Sequence, residues 1–241
     1  ARAKELEYFG AKRVWEKRDL AEARRVTGRP PITVRWVDVN KGDRAHPDIR
    51  SRWVAKDIAH YKTDAFFAAT PPLEALRLIM SEAASQSDEA GKEIGLMLLD
   101  AKKAHLHATA EREVYVELPP ERARGGYCCR LRRCLYGTRD AALNWQDTLS
   151  RHLLDIGFER GVGFPSVFVH KRLDIWTLVH GDDYFSAGGG KELEWLEAQL
   201  LEKYEIKTSR VGLADNCKSE GQILNRIVRA TSRGFELEAD P

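Results

Sequence analysis

The spacing of apolar residues divides this chain into short helical and extended segments. Apolar positions at helical spacing predict four helices, over residues 3–25, 73–84, 141–156 and 193–204. Alternating or continuous apolar runs predict strands, at residues 33–39, 50–58, 94–99, 114–118, 167–170, 175–179, 184–187, 206–208 and 223–229. Polar composition predicts loops at residues 85–91 and 209–221, and three successive glycines predict a break at 188–190.

The order of these segments indicates the fold class. From residue 94 onward the main elements run strand, helix, strand, strand, helix, strand, which is the order of a ferredoxin-like split βαβ unit. An α+β fold is therefore expected, with an antiparallel sheet and helices on one face. No internal repeat is present, and no change of composition divides the chain.

Composition narrows the class of protein. A chain of 241 residues with 43% hydrophobic content can bury a core as one large domain or two small ones, and a net charge of +2 does not by itself demand a polyanionic partner. No apolar run has the roughly 18 residues needed to span a bilayer. The four cysteines include no C-x-x-C pair, so neither zinc nor a disulfide framework is indicated, and a reducing compartment is the default expectation. The first residue is Ala, which suggests a piece of a longer polypeptide.

The most informative local feature is the acidic pair Asp182-Asp183, which lies between two apolar runs and follows Gly181. Glycine allows a tight turn between two strands, and such a turn would bring both carboxylates to the rim of a sheet. A solvated hairpin tip is the alternative, and it is the more frequent outcome for a Gly-Asp turn. A metal site requires a third carboxylate nearby.

Asp100 is the candidate for that third carboxylate, because it follows the buried run Leu96–Leu99 and lies at the end of a predicted central strand. Three carboxylates at neighbouring strand ends would suit Mg²⁺, which prefers oxygen ligands and retains water. Two such ions can stabilise the attacking and leaving oxygens of a phosphoryl transfer. For Asp100 taken alone, a helix N-cap is the simpler interpretation.

Seven motifs, in the correct order, are similar to segments of copia-type retrotransposon reverse transcriptases. They are Arg50-Ser-Arg-Trp-Val-Ala-Lys56, Asp100-Ala-Lys-Lys-Ala-His-Leu106, Val114-Tyr-Val-Glu-Leu-Pro-Pro120, Leu131-Arg-Arg-Cys-Leu-Tyr-Gly137, Gly157-Phe158, Pro165-Ser-Val-Phe168 and His180-Gly-Asp-Asp183. Trp145 also falls where the family has a tryptophan, and the resemblance extends from about Trp36 to Arg229. The chain departs from the family at His180-Gly181, where the family commonly has Tyr-Val.

The resemblance implies a right-hand polymerase fold. Residues 1–241 would form a single fingers and palm unit, with residues 1–93 and 108–141 fingers-like, residues 94–107 and 142–230 palm, and the end of the chain too short for a thumb. Asp100, Asp182 and Asp183 match the family's three metal-binding catalytic aspartates. The backbone carbonyl of Ala101 is expected to contact one of two Mg²⁺ ions, which Mn²⁺ can replace.

The same resemblance implies a set of nucleotide-binding residues. On the fingers hairpin, Arg52 and Lys56 match residues that close on the incoming triphosphate, although a solvated hairpin face would also explain them. In the other motifs, His105 falls at the aromatic position that excludes the ribose 2′-hydroxyl, and Tyr136, Gly137 and Arg139 match the segment that packs on the nucleotide and template base. Core packing remains the alternative for Tyr136, and a core or surface position for His105.

A run of arginines without Asp or Glu extends from Arg122 to Arg139. It contains Arg122, Arg124, Arg130, Arg132, Arg133 and Arg139. Such a run is usually a solvated loop, and it also fits electrostatic binding of a nucleic-acid backbone.

These inferences lead to one principal function and two alternatives. The principal function is RNA-directed DNA polymerase activity on a template-primer with deoxynucleoside triphosphates. RNase H and integrase segments of a Pol polyprotein would then lie outside this chain, and the location would be intracellular, in a cytoplasmic virus-like particle or the nucleus. The first alternative is a degenerate or co-opted remnant that binds nucleic acid or a partner without catalysis. The second is a carboxylate-metal phosphohydrolase, which the ordered motifs disfavour.

Overall fold

The computed structural model of the chain describes residues 1–58, 71–89, 94–123 and 125–239. The fold consists of two compact units. Unit 1 comprises residues 1–67 and 104–148, and unit 2 comprises residues 68–103 and 149–241. In the described ranges, no helix combines the length and apolarity that crossing a membrane requires.

Five α-helices and fourteen strands are present in the described ranges. The helices are α1 (Arg2–Ala11), α2 (Leu20–Thr27), α3 (Leu73–Glu89), α4 (Ala141–Asp155) and α5 (Gly190–Leu201). The first seven strands are β1 (Trp15–Asp19), β2 (Val34–Asn40), β3 (Ile49–Ala55), β4 (Ile94–Ala101), β5 (Tyr115–Val116), β6 (Tyr127–Leu131) and β7 (Glu159–Arg160). The others are β8 (Val167–His170), β9 (Ile175–His180), β10 (Asp183–Gly189), β11 (Ile206–Val211), β12 (Glu220–Ile223), β13 (Arg226–Thr231) and β14 (Gly234–Ala239).

Unit 1 is built around a three-stranded sheet of order β1-β6-β5 and the hairpin β2–β3. Trp53 of β3 is fully buried and packs on Phe9 of α1, with the ring centroids 5.9 Å apart. Leu106, Val116 and Leu135 complete the same core. The β2–β3 hairpin is thus anchored by apolar contacts that β3 makes within unit 1.

Unit 2 contains an antiparallel six-stranded sheet of order β11-β4-β10-β9-β8-β7. On one face, Leu98 of β4 and Phe185 of β10 lie in a core with Ile79 of α3. On the other face, Leu193 of α5 lies over Gly95 and Gly188. Helices therefore cover both faces of this sheet, whereas the sequence analysis predicted helices on one face only. The difference arises because the apolar side of α3 also needs a sheet surface to pack against.

The predictions for two segments, the helix over residues 3–25 and the loop over residues 85–91, are partly wrong. The predicted helix over residues 3–25 is interrupted, because Arg13 takes a left-handed backbone (φ 49°) and residues 15–19 form strand β1. β1 pairs with β6, so pairing with a strand distant in sequence overrides the local helical spacing. The loop predicted from residue 85 is instead helical through Glu89, since polar residues also occupy solvent-facing positions of helices.

The C-terminal segment also differs from prediction. The single strand expected over residues 223–229 is broken at Leu224 and Asn225, which both have positive φ and form a tight turn between β12 and β13. β14 then adds to β13, which gives a separate three-stranded sheet. The loop predicted over 209–221 is shorter than expected, because β11 continues to Val211 and β12 begins at Glu220.

Candidate functional site

The acidic pair lies on a tight hairpin of unit 2. Strands β9 and β10 are joined by Gly181 and Asp182, and His180 and Asp183 are directly paired across the turn. Gly181 has φ +60° whereas Asp182 does not have a positive φ, which is the pattern of a type II′ turn with glycine at its first central position. The sequence prediction that Gly181 permits a strand-to-strand turn is confirmed.

Strand register places Asp100 beside Asp183. The two residues are directly opposed across β4 and β10, and the Ala101 N–H donates to the Asp182 carbonyl at 2.8 Å. The Ala101–Asp182 pair is thus hydrogen-bonded, so Asp100 and Asp183 form a pair that is not hydrogen-bonded, in which side chains lie closer together. Their Cβ atoms are expected to lie about 4.5–5.5 Å apart on one face of the sheet.

The same register extends this row of side chains to four strands. Lys207 of β11 is opposite Asp100, and His180 of β9 is opposite Asp183. Directly opposed residues project from the same face, so Lys207, Asp100, Asp183 and His180 form one row across the sheet. We refer to these four residues as the strand-end row. A lysine and a histidine therefore flank the two carboxylates.

Asp100, Asp182 and Asp183 form no ion pair with any residue that the structure describes. Burial raises the pKa of Asp183, the negative charges of Asp182 and Asp100 raise it further, and His180 acts in the opposite direction. Asp183 is half-buried, whereas Asp100 and Asp182 are exposed. Like charges held together at the end of a sheet bind cations favourably, because a cation relieves their mutual repulsion.

These residues fit a magnesium site in their chemistry, although they do not form a complete one by themselves. Among the described residues, no group of three His, Cys, Asp or Glu side chains has the arrangement of a preformed metal site. Asp100 and Asp183 are adjacent, while Asp182 occupies the exposed second turn position. An all-oxygen donor set with room for water and substrate oxygens is the kind of site that Mg²⁺ uses.

In unit 1 the structure brings three of the predicted nucleotide-binding residues together around Tyr136. The Arg52 guanidinium carbon lies 5.7 Å from the centre of the Tyr136 ring. The His105 ring lies on Tyr136 as well, with centroids 5.6 Å apart and planes inclined by 57°. Tyr136 is partly exposed, and it also packs against the apolar core of unit 1.

Gly137 makes a close backbone approach, but to the protein itself. Its φ is +79°, and a Cβ atom at this position would lie 2.1 Å from the carbonyl oxygen of Ala55. The Ala55 N–H donates to the Tyr136 carbonyl at 2.8 Å, and the Asp57 N–H donates to the Gly137 carbonyl at 3.3 Å. Glycine is therefore required here because the segment runs along the end of β3.

Lys56 is not part of the group around Tyr136. It is exposed and lines a cavity of about 420 Å³ with Arg29, Asp57 and Arg139, among other residues. The guanidinium of Arg139 approaches the Asp57 carboxylate, with Nε 3.2 Å from Oδ1. Lys56 and Arg139, both predicted to bind the nucleotide, thus line the same cavity of unit 1.

A charged network that sequence reasoning missed lies next to this cavity. Arg112 Nη2 donates to Asp57 at 2.8 Å and to Asp140 at 2.7 Å. Burial by itself would raise the pKa of each carboxylate, but hydrogen bonds and positive charge from Arg112 lower the pKa of both Asp57 and Asp140. We call Asp57, Arg112, Asp140 and Arg139 the unit 1 ion network. No local pattern signals it, because residues 57, 112 and 140 are far apart in sequence.

The arginine run is not an open cationic surface. Arg130 and Arg132 both bind Glu16, at 3.1 and 2.9 Å, and Arg133 donates to the His107 carbonyl at 2.9 Å. Hydrogen bonds from Arg18, Arg132 and Arg130 lower the pKa of Glu16 to about 2. Arg124 lies outside the described residues. Several of these arginines are therefore engaged in structural contacts, which reduces the positive charge available to a nucleic acid.

Comparison with known proteins identifies the family of this chain. A family described as reverse transcriptase (RNA-dependent DNA polymerase) matches residues 15–214. A Retrovirus-related Pol polyprotein from transposon RE2 of Arabidopsis thaliana is 34% identical over 116 residues, which cover 45% of this chain and 8% of that protein. A truncated transposon Ty1-A Gag-Pol polyprotein of Saccharomyces cerevisiae is 28% identical over 119 residues, covering 49% of this chain and 10% of that protein. The aligned region thus makes up about a tenth or less of these two curated relatives.

Solved structures support the fold. A foamy viral protease-reverse transcriptase in complex with double-stranded DNA has a TM-score of 0.51 at 14% identity, covering 92% of this chain and 32% of that chain. Telomerase from Candida albicans, solved with a fragment of telomeric RNA, has a TM-score of 0.51 at 8% identity, covering 98% and 51%. At these identities the likeness concerns the fold, which is of the polymerase type with mixed helices and sheets. The match over residues 15–214 places this chain in the reverse transcriptase (RNA-dependent DNA polymerase) family, in the copia-type branch represented by transposon Pol polyproteins.

Proposed function

We propose that this chain is the polymerase core of a copia-type reverse transcriptase and extends a primer on an RNA template. The observation that carries the proposal is the direct opposition of Asp100 and Asp183 on adjacent strands, with Asp182 in the connecting turn. Three carboxylates at one end of a sheet are the donor set that nucleotidyl transfer requires. The proposed reaction forms a bond from the primer 3′-hydroxyl to the α-phosphorus and releases pyrophosphate.

Within this proposal the six-stranded sheet of unit 2 is the palm. The four strands β4, β9, β10 and β11 are ordered β11-β4-β10-β9, with α4 and α5 as the crossover segments, which is the ferredoxin-like arrangement. Unit 1, with its β2–β3 hairpin, is the corresponding fingers region. This assignment accounts for the position of the carboxylates at strand ends rather than in the middle of the sheet.

Asp100, Asp182 and Asp183, with the carbonyl of Ala101, are the residues proposed to hold two Mg²⁺ ions, or Mn²⁺ in their place. Such ions, when bound, supply Lewis-acid stabilisation of the charge that develops during phosphoryl transfer. The hydrogen bond from Ala101 to the Asp182 carbonyl keeps the end of β4 against the hairpin turn. The residues of the chain therefore hold the carboxylates in register.

Arg52, Lys56, His105, Tyr136, Gly137 and Arg139 are proposed to contact the nucleotide or the template. Arg52 supplies a planar guanidinium suited to phosphate oxygens, and its contact with Tyr136 restricts the orientation of that group. His105 and Tyr136 offer ring faces beside one another. Gly137 would act through the backbone, because it maintains the path of the segment along β3.

The wider context of the chain is also part of the proposal. The substrates are an RNA or DNA template-primer and deoxynucleoside triphosphates, and RNase H and integrase segments belong to the same Pol polyprotein. Because the aligned region covers so little of the curated relatives, these partners are inferred from the family. The corresponding location is intracellular, in a virus-like particle or the nucleus.

Primer extension by the purified chain tests the proposal. We expect extension of a labelled DNA primer on an RNA template with Mg²⁺ or Mn²⁺, and a loss of at least about a hundredfold in Asp100→Asn, since several kcal/mol of metal-dependent stabilisation is removed. Asp215→Asn is the matched control, because Asp215 is an exposed carboxylate in the polar loop after β11. Extension that Asp100→Asn leaves unchanged would refute the assignment.

A remnant that binds nucleic acid without catalysis is the second candidate. It is favoured by the finding that, in the described ranges, no three side chains form a preformed metal site. This candidate predicts that the native chain and Asp100→Asn bind a template-primer equally well and that neither synthesises DNA with Mg²⁺ or Mn²⁺.

A further inference from the structure

One aspartate, Asp57, joins the end of β3 to the segment that carries Gly137 and Arg139. The Asp57 N–H donates to the Gly137 carbonyl at 3.3 Å. In return, the Arg139 N–H donates to Asp57 Oδ2 at 3.2 Å, and Arg139 Nε lies 3.2 Å from Asp57 Oδ1. The course of residues 137–139 is therefore fixed by the backbone and by both carboxylate oxygens of Asp57.

Arg112 fixes this aspartate in turn. Its Nη2 donates to Asp57 Oδ2 at 2.8 Å and to Asp140 Oδ1 at 2.7 Å. Asp140 immediately precedes α4, and its other oxygen, Oδ2, accepts from Asn144 Nδ2 at 3.1 Å. One guanidinium from the loop before β5 thus ties the end of β3 to the start of α4. Residues 137–139 are held by Asp57 along their length and by the Arg112–Asp140 pair where they enter the helix.

The charges of the unit 1 ion network also affect the position of the Arg139 side chain. The network contains two carboxylates and two guanidinium groups, and the side chains of Asp57 and Asp140 are only 9% and 4% exposed. Without Arg112, Arg139 would be their remaining partner in the network. Opposite charges attract strongly where water is largely excluded, so loss of Arg112 would draw the Arg139 guanidinium inward and away from a substrate.

Stability alone is a weak reason for such a network, since replacing a whole buried ion network by apolar side chains is often neutral or stabilising. Charge-assisted hydrogen bonds instead fix one geometry. The segment fixed here directly follows Tyr136 and contains Gly137 and Arg139. We propose that Arg112 is a positioning residue of this segment, which holds Gly137 and Arg139 in the orientation in which they meet the nucleotide or the template base. This inference rests on the proposed polymerase function.

A purely stabilising role for Arg112 is the simpler explanation, and a matched arginine separates the two. Arg130 also lies in unit 1 and is shared by two carboxylates, those of Glu16, at 3.1 Å, and Glu113. Its side chain is 27% exposed, against 30% for Arg112, but it pairs with neither Asp57 nor Asp140. Arg130→Met should therefore cost stability without moving residues 137–139.

The first test measures the KM for the nucleotide and kcat in primer extension, below the melting transition of every variant. Arg112→Met should raise KM about tenfold with kcat little changed, because it weakens binding in the ground state and the transition state alike. Arg112→Lys should recover most of this loss, since a single nitrogen of Arg112 serves both carboxylates and an ammonium can replace it. Arg130→Met should keep the native KM. The proposal is overturned if Arg112→Met and Arg130→Met have the same KM.

Hydrogen exchange tests the positioning without catalysis. The Arg139 N–H is bonded to the Asp57 carboxylate, so its protection depends on the orientation of that side chain. In Arg112→Met, a peptide covering residues 136–141 should exchange at least about tenfold faster than in the native chain, whereas in Arg130→Met it should not. Faster exchange throughout unit 1 in both variants would indicate general destabilisation and reject the proposal.

Failure of the polymerase function itself gives a different result. If the native chain extends no primer, hydrogen exchange still reports on the segment, and equilibrium binding of a deoxynucleoside triphosphate with Mg²⁺, followed by tryptophan fluorescence, replaces KM. Weaker binding in Arg112→Met than in Arg130→Met then supports positioning in a chain that binds nucleotide without synthesis. Equal affinities in the two variants reject it.

Discussion

Two groups of aspartates, Asp57 with Asp140 in unit 1 and Asp183 with its neighbours in unit 2, are held in opposite electrostatic states. In unit 1, Asp57 and Asp140 share Arg112, and their pKa values are lowered. In unit 2, Asp183 lies beside Asp100 and Asp182 and forms no ion pair with any described residue, and its pKa is raised. The carboxylates of unit 1 are held by ion pairs, whereas those of unit 2 are held by backbone register. This difference separates groups that stabilise the fold from groups that are available to bind a cation.

The largest effect is expected from removing one charge from each group. Asp183→Asn should reduce primer extension by at least about a hundredfold, because it removes a proposed metal ligand. It should also leave the melting temperature unchanged or raised, since it removes a carboxylate that repels its neighbours. Asp140→Asn should lower the melting temperature. If Asp183→Asn destabilises the chain as much as Asp140→Asn does, the contrast between the units is wrong.

The unit 1 ion network should depend strongly on its central cation. Arg112→Met leaves two poorly solvated carboxylates without their shared partner, so we expect the free energy of unfolding to fall by about 3 kcal/mol. Arg229→Met is a matched control, because Arg229 binds the exposed Glu220 at 3.1 Å in the small sheet of unit 2. Chemical denaturation should show a much smaller loss for the control, because exposed ion pairs contribute little to stability. Equal losses would mean that the buried network has no special role.

Lowering the pH should change the stability contributions of the two groups of aspartates in opposite directions. The lowered pKa values of Asp57 and Asp140 mean that their stabilisation is present above the usual aspartate pKa and is lost as pH falls through the lowered values. The raised pKa of Asp183 means that its ionised form costs stability at neutral pH, and this cost disappears as pH falls through the raised value. Melting temperatures should be measured from pH 8 to pH 3. Any increase in melting temperature of Asp183→Asn over the native chain should become smaller towards acid pH. The decrease in melting temperature of Asp140→Asn should persist until strongly acidic pH.

A backbone change should affect the unit 2 carboxylates more than it affects unit 1. Gly181→Val places a β-branched residue at φ +60°, and such strain costs about 1–3 kcal/mol. Extension should fall with it, because the turn holds Asp182 and Asp183. Gly190→Ala is the control, since φ is ordinary there and no atom lies within 4 Å of the added Cβ. A Gly181→Val chain as stable and active as native would show that the turn can adopt another form.

The smallest expected effect concerns the ring pair in unit 1. His105→Phe should keep the contact with Tyr136, whose centroid lies 5.6 Å away, and should increase the preference for deoxyribonucleotides over ribonucleotides. We expect a change of a few-fold, because a histidine already fills much of the space of a phenylalanine. Competing incorporation of the two nucleotide types measures it. A preference that does not change would remove His105 from the proposed nucleotide site.

Sequence reasoning succeeded where the information is local. Apolar periodicity found α4 and strands β8 and β9 to within a residue or two, and the Gly181 turn followed from one glycine between two apolar runs. Strand order also followed from the sequence of elements, which is why Asp100 was expected beside the hairpin. These features depend on residues that are close in sequence or on a simple topological rule.

Sequence reasoning failed where contacts between residues far apart in sequence determine the structure. β1 reads as part of a helix until its pairing with β6 is known, and the short strand β7 has too few residues for a periodic signal. The unit 1 ion network joins residues 57, 112 and 140, and the close approach of Gly137 to Ala55 depends on the path of the distant strand β3. Long-range packing fixes these details, so periodicity and composition contain no trace of them.

The alignment of Asp100 with Asp183 by strand pairing has a genetic consequence. Because the hydrogen-bond ladder sets their separation, many substitutions in β4 and β10 can accumulate while the two carboxylates stay opposed. Loss of a single codon within either strand is different, since a shift by one residue turns every following side chain to the other face of the sheet. In diverging copies of such an element, drift by substitution should therefore be tolerated in these strands far longer than any change in their length.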